Sequence, residues 1–250
     1  MVSRCACCVI FGCWSIVVGV FGQLLHAQGV EVSGRIVTRP AEQPAAKKHP
    51  NPESKLNAAN VVVWLSPLKP GQATSAMAVR QTTYRLVQKD KMFTPHLLVV
   101  PTGSQVEFPN QDPFFHNVFS LFNGKRFDLG LYESGTSRSV RFDREGVSYI
   151  FCNIHPEMGA VVLALSTPYY AISSGNGVVA FHNVLPGSYR LNVWSENGQL
   201  VNPGPSQRIL QVSSDAVRLG DITLRAAPDP LAGHKNIFGE DYEPVRNTKY

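Results

Sequence analysis

From residue 30 onward the apolar positions recur every second residue or gather in short runs, with no amphipathic helix of 12 or more residues among them. "VEVSGRIV" (30–37) alternates as a strand does, and the β-branched run in "ANVVVWLSPL" (59–68) predicts a buried strand. "YRLVQKD" (84–90), "HLLVV" (96–100) and "SQVEF" (104–108) predict three more, with "PTGS" as the turn between the last two. Residues 109–138 read as a turn-rich stretch with aromatic islands. Strands resume at "SVRFD" (139–143), "VSYIFC" (147–152) and "AVVLALS" (160–166). A second series follows at "VVAFHNV" (178–184), "PGSYRLNVWS" (186–195), "QRILQVS" (207–213) and "GDITL" (220–224). About a dozen short strands separated by turns predict an all-β fold of the sandwich kind.

Composition agrees with that reading. Charged residues make up only 16% of the chain, against 20 Gly and 18 Pro, which suits a turn-rich β protein. Residues 39–57, "RPAEQPAAKKHPNPESKLN", are polar and Pro-rich and predict a loop. The tail 226–250 is polar with isolated aromatics, and no element is assigned to it. The first 27 residues differ from the rest: Arg4, a long apolar stretch, then a small Ala27 at a cleavage-like position. They resemble a secretory signal peptide cleaved near Ala27, which predicts a periplasmic or secreted protein with no stable membrane insertion afterwards. An uncleaved membrane anchor is the rival reading, since the stretch is long enough to span. Loss of Arg4 leaves 22 basic against 18 acidic residues, a net charge of about +4. No basic stripe interleaved with aromatics accompanies that charge, which argues against nucleic acid as a partner.

Cleavage also removes Cys5, Cys7, Cys8 and Cys13 and leaves Cys152 as the single cysteine. A lone thiol in an exported protein is buried and inert, reactive, joined to another chain, or bound to a metal. Its neighbourhood favours the metal. "FCNIHPEM" sets Cys152, His155 and Met158 three residues apart at a strand end. Thiolate, imidazole and thioether together suit copper, whereas zinc prefers more thiolates and calcium prefers oxygen. A short loop cannot surround an ion, so another ligand must come from elsewhere. His116 in "DPFFHNVFS" is the best candidate, with two predicted strands between it and Cys152. Each residue alone also has an ordinary reading: Cys152 as a buried apolar thiol, Met158 as core, His116 as a satisfied core histidine. His96 opens a strand and reads as structural. His49, His182 and His234 lack ligand spacing.

Taken together, "VEFPNQDPFFHNVF" and "YIFCNIHPEMG" resemble the cupredoxins, the small blue copper proteins, with the short Cys–His–Met spacing of the amicyanins. The resemblance covers about residues 81–166. "FTPHLLVVPTGSQVEFPNQD", "FDLGLY" and "FCNIHPEM" are similar more narrowly to a bacterial cupredoxin group labelled methylamine-utilisation-like. The resemblance implies a Greek-key sandwich holding one type 1 copper. His116 and His155 would bind through ring nitrogens, Cys152 as thiolate and Met158 as the weak axial ligand. Asn117 would tie the two ligand-bearing segments together and constrain the thiolate. Phe114, Phe115, Pro156 and Met158 would exclude water, and the His155 ring edge would reach the surface.

"SSGNGVVAFHNVLPGSYRLNVWSENG", through Gly177, Phe181 and Leu185–Leu191, resembles the closing half of a carboxypeptidase-regulatory-like or transthyretin-like β-sandwich. "VSGRIV" and "NAANVVVWLSP" match its opening half. The expected organisation is therefore a sandwich of residues 29–70 and 167–225 split around the copper domain 81–166, with a tandem arrangement as the alternative. The implied function is an exported electron carrier serving a redox protein partner. The alternative function is copper capture or delivery, or a non-redox binding module. No nucleophile–base pair and no second His cluster suggests an enzyme.

Overall fold

The computed structural model describes residues 29–40, 57–69, 83–121, 124–201 and 208–242. The expected signal peptide lies outside these residues, as does most of the Pro-rich loop. Among the described residues every regular element is a strand, and no helix is long and apolar enough to cross a membrane. The fold is all-β.

Two four-stranded sheets enclose one core. In the first, β1 (Val30–Arg39) lies between β14 (Val178–Val184) and β18 (Val217–Ala226), with β16 (Gly198–Leu200) beyond β18. In the second, β2 (Val62–Pro67) lies between β13 (Tyr170–Ile172) and β15 (Gly187–Trp194), with β17 (Ile209–Val212) outside. The chain thus contributes two strands, leaves for about a hundred residues, and returns to finish both sheets. Val32, Ile36, Val63, Leu65, Phe181, Tyr189, Leu191 and Ile222 fill the space between them. Gly177 is required where it stands. Its φ is +76°, and a Cβ there would run into the Ile36 carbonyl oxygen, which accepts no such approach from a larger residue.

The intervening chain forms a five-stranded sheet, a three-stranded sheet and a hairpin. The larger sheet has the order β6 (Leu97–Pro101), β12 (Gly159–Leu165), β11 (Gly146–Cys152), β8 (His116–Ser120), β9 (Phe127–Tyr132). The smaller has β10 (Ser137–Phe142), β7 (Ser104–Pro109) and β3 (Tyr84–Arg85). The hairpin pairs β4 (Val87–Lys89) with β5 (Met92–Thr94). Phe108, Val118, Phe142, Ile150, Val162, Cys152 and Met158 belong to one buried cluster between the layers.

The two continuous apolar runs now have a physical cause. Along β12, Ala160, Val162 and Ala164 face this core, while Leu163 and Leu165 face the other way. Along β2, Val63 and Leu65 enter the first core, while Val62 and Trp64 join Leu163 and Leu165 in a third cluster. Each strand is covered on both faces because the two pack on one another, so neither shows alternation. His96 adds a polar link at this junction, with Nε2 at 2.7 and 3.0 Å from the Glu196 carboxylate.

Residues 109–138 depart from the sequence reading. They contain β8 and β9. All five residues of β8 are buried, so the period-two signature is missing, and Gly130 interrupts β9 with φ +64°. Likewise 84–90 is no single strand. It breaks at buried Leu86, and Asp90 and Lys91, with φ of 55° and 54°, turn the chain into β5. A left-handed turn without Gly or Asn gives sequence reasoning little to recognise.

Candidate metal centre

Two neighbouring strands and one loop bring the candidate ligands together. β8 and β11 are antiparallel, with Cys152 opposite Val118, so the start of β8 and the end of β11 meet at one edge of the sheet. His116 is the first residue of β8 and Cys152 the last of β11. The β11–β12 loop folds back: Cys152 N–H donates to the Met158 carbonyl (3.3 Å) and Met158 N–H to the His155 carbonyl (3.1 Å). That fold carries His155 over the thiol.

The resulting triangle is compact. Cys152 Sγ lies 3.5 Å from His116 Nδ1 and 3.5 Å from His155 Nδ1, and the two nitrogens are 3.1 Å apart. A triangle with these sides has a circumradius of about 2.0 Å, close to the usual metal–imidazole distance and slightly short of metal–thiolate. Among the described residues this is the one group of three or more His, Cys, Asp or Glu side chains with ligand atoms so converged. His116, Cys152 and Met158 are fully buried, and His155 is half-buried. Met158 shares the cluster of buried side chains with Cys152. The donor set, two imidazole nitrogens and a sulfur with a thioether at hand, fits copper.

The electrostatics suit ligands held for a cation. Burial, followed for His155 by the neighbouring His116, lowers both imidazole pKa values below the ordinary histidine range, so both rings are neutral at neutral pH. Burial raises the Cys152 thiol, against main-chain N–H bonds from Ile154, Asn117 and His155 that favour the thiolate. A bound metal would supply the positive charge that completes that thiolate. Phe114 packs against both imidazoles, with ring centroids 5.3 Å from each, and the Lys91 ammonium lies 5.5 Å from its ring centre. Phe115, expected to help exclude water, is instead 51% exposed, and Pro156 is exposed as well. Alternation along the chain turns Phe115 outward as Phe114 and His116 turn in.

Asn117 ties the segments through its main chain. Its N–H bonds the Cys152 sulfur and its carbonyl accepts the Asn153 N–H at 2.8 Å. Its side-chain Nδ2 donates to Asp128 Oδ1 (2.8 Å), away from the thiol. His96 takes no part in the cluster. His182 lies 3.7 Å from Glu31 at the surface, and His49 falls outside the described residues.

Two features escaped the sequence reading. Asp112, buried, accepts from His116 Nε2 at 2.9 Å. Its spacing, four residues before a candidate ligand, was the available signal. The tail also reaches the centre. Tyr242 Oη donates to the Cys152 carbonyl (2.8 Å), Ile237 N–H donates to Asn153 Oδ1 (2.8 Å), and His234 stacks on Phe151 with centroids 4.1 Å apart. No sequence pattern announces these contacts.

No protein-family model matches the chain, and the curated proteins contain no match to it. Solved structures similar to part of it include a purple cupredoxin from Nitrosopumilus maritimus, 24% identical over 33% of this chain and 99% of that one, TM-score 0.30. A Cu-containing nitrite reductase from Thermus scotoductus is 22% identical over 34% of this chain and 22% of that one, TM-score 0.32. A reduced amicyanin variant is 20% identical over 36% and 89%, TM-score 0.31. Likeness at this level transfers neither the copper nor the activity of those proteins to this chain.

Proposed function

We propose that the chain is an exported type 1 copper protein that carries single electrons between redox partners. The observation that carries this reading is the convergence of His116 Nδ1, His155 Nδ1 and Cys152 Sγ into one triangle of 3.1–3.5 Å sides. Copper bound there would supply a one-electron couple. The protein's part is to keep the ligands in place. His116 and Cys152 are fixed by strand pairing, and Asn117 holds the sulfur and the loop through its main chain. His155, the half-buried ligand, is the exit toward a weakly bound redox protein. With Met158 as the fourth ligand the set would leave no position for substrate, so the reading is a carrier and not an enzyme. It also includes the division of the chain into the copper unit 81–166 and a carboxypeptidase-regulatory-like sandwich of 29–70 with 167–225. The pairing of β1 and β2 with strands from residue 170 onward supports that division.

The test is a Cu(II) titration of the purified protein. One equivalent should give intense thiolate-to-copper absorption that bleaches and returns on reduction and reoxidation. Cys152→Ser should abolish the absorption, and Met158→Gln should keep the copper but shift its potential. An unchanged spectrum in Cys152→Ser would end this assignment. Tight Cu(I) binding with no coloured Cu(II) form would assign copper delivery instead.

A further inference from the structure

Asp112 does more than fill space. Its carboxylate is buried beside the candidate ligand His116. Oδ1 accepts the Asp90 N–H at 2.6 Å, and Oδ2 accepts both the Lys91 N–H (3.1 Å) and His116 Nε2 (2.9 Å). Its own N–H donates to Asn110 Oδ1 (3.0 Å). With the carboxylate ionised both oxygens are acceptors only, so the imidazole presents its proton at Nε2. The neutral ring then has its lone pair at Nδ1, the atom facing Cys152 and His155. Without such an acceptor a buried histidine could carry its proton on either nitrogen, and the Nδ1–H form cannot bind a metal at that atom.

The carboxylate also places a negative charge one imidazole ring from the cluster. An anion there favours the more positive of two metal states. It makes the ligand nitrogen more basic as well, which favours the oxidised ion further. Resting on the copper-carrier reading, we propose that Asp112 is a positioning residue of the metal centre. It fixes His116 in the Nε2–H tautomer, and through its charge it lowers the reduction potential of the bound copper. The same side chain clamps the left-handed turn at Asp90 and Lys91, which carries the Lys91 ammonium to Phe114. The hairpin and the ligand are thus held by one group.

The experiment compares the wild type with Asp112→Asn, which preserves size and one acceptor but removes the charge. Cu(II) and Cu(I) affinities are measured by competition, and the potential by titration. Losing the partner of a ligating histidine costs on the order of 10–100-fold in affinity. The Cu(II)-to-Cu(I) affinity ratio should fall about tenfold, equivalent to a rise of about 59 mV for one electron. An unchanged or increased ratio overturns the proposed charge effect, since mere loosening of the turn does not select between oxidation states. The tautomer is read separately by nitrogen-15 NMR of His116 in the wild-type protein, metal-free and loaded with Cu(I). A proton on Nε2 in both is expected, and an Nδ1–H ring overturns the proposed positioning whether or not Asp112→Asn folds. Absence of thiolate-to-copper absorption in the wild type would instead defeat the carrier reading, and the metal-free spectrum would still decide the tautomer.

Discussion

The tail offers a quantitative test of how the ligand loop is held. Tyr242→Phe removes one hydroxyl and keeps the ring, which stands edge-on to His234 at 5.3 Å. Burial raises the Tyr242 pKa, so the hydroxyl remains a donor across the working pH range. The change therefore deletes a single bond, 2.8 Å long, to the Cys152 carbonyl at the point where β11 becomes the loop. A neutral hydrogen bond of this kind contributes about 1 kcal/mol net. Loss of that amount should raise the equilibrium for local opening of residues 153–158 about fivefold. Hydrogen exchange of those amides should accelerate by that factor, while β1 and β18, far along the chain's other core, stay unchanged. With copper bound, release to an excess of chelator should quicken similarly if the ion leaves through the opened loop. Equal acceleration in every strand, or none in 153–158, would refute the idea that Tyr242 restrains the loop locally.

Two further outcomes follow from the titration behaviour. With both histidines neutral and the thiol protonated, copper loading at pH 7 should release about one proton, readable in a weakly buffered titration; near zero would mean a preformed thiolate. The His96 pKa is raised above 6.5, by the hydrogen bond it donates to Glu196 against the opposing effect of burial. Because the folded value exceeds the unfolded one, the pair's stabilisation is fully present below pH 6.5 and disappears as pH rises through the folded pKa. The melting temperature of Glu196→Gln should therefore fall short of the wild type at pH 5.5, by an amount set by less than about 1 kcal/mol for a partly exposed pair, and match it at pH 8.5. An equal deficit at both pH values would show that packing, not charge, is what Glu196 supplies.

Much of the architecture was legible because strand signals are local. The apolar runs at 59–68 and 160–166 mark strands, though only the structure explains why both lack alternation: they cover one another. His116, Cys152 and His155 could be singled out because soft donors are scarce in this chain and their order carries meaning. What could not be read was long-range and carried by ordinary residues. Asp112 is one acid among 18 acidic residues, distinguished only by what it faces. The turn at Asp90 and Lys91 carries no Gly, and a carboxylate 22 and 21 residues away binds its two N–H groups. Tyr242 and Ile237 look like tail residues until the chain folds back onto Cys152 and Asn153. Asn117 showed the converse problem: its place was visible, but its main chain, which sequence cannot distinguish from any other, makes the contacts.

These long-range contacts are distributed unevenly, and the unevenness bears on the proposed electron transfer. His116 and Cys152 sit on paired strands, are fully buried, and are each restrained from outside the ligand cluster, by Asp112 and by Tyr242. β12, which returns from the loop, is packed on both faces, so the hairpin that bears Cys152 cannot shift without disturbing two cores. His155 alone stands on a loop at the surface, between exposed Ile154 and exposed Pro156. A centre meant to exchange its ion would need mobility among the deeper ligands, which are here the buried and hydrogen-bonded ones. A centre meant to exchange electrons needs fixed ligands and one conducting edge within reach of a partner. If hydrogen exchange found the ends of β8 and β11 at Asn117 and Cys152 opening as readily as the 153–158 loop, that asymmetry would be absent, and ion transfer would become the better account of the site.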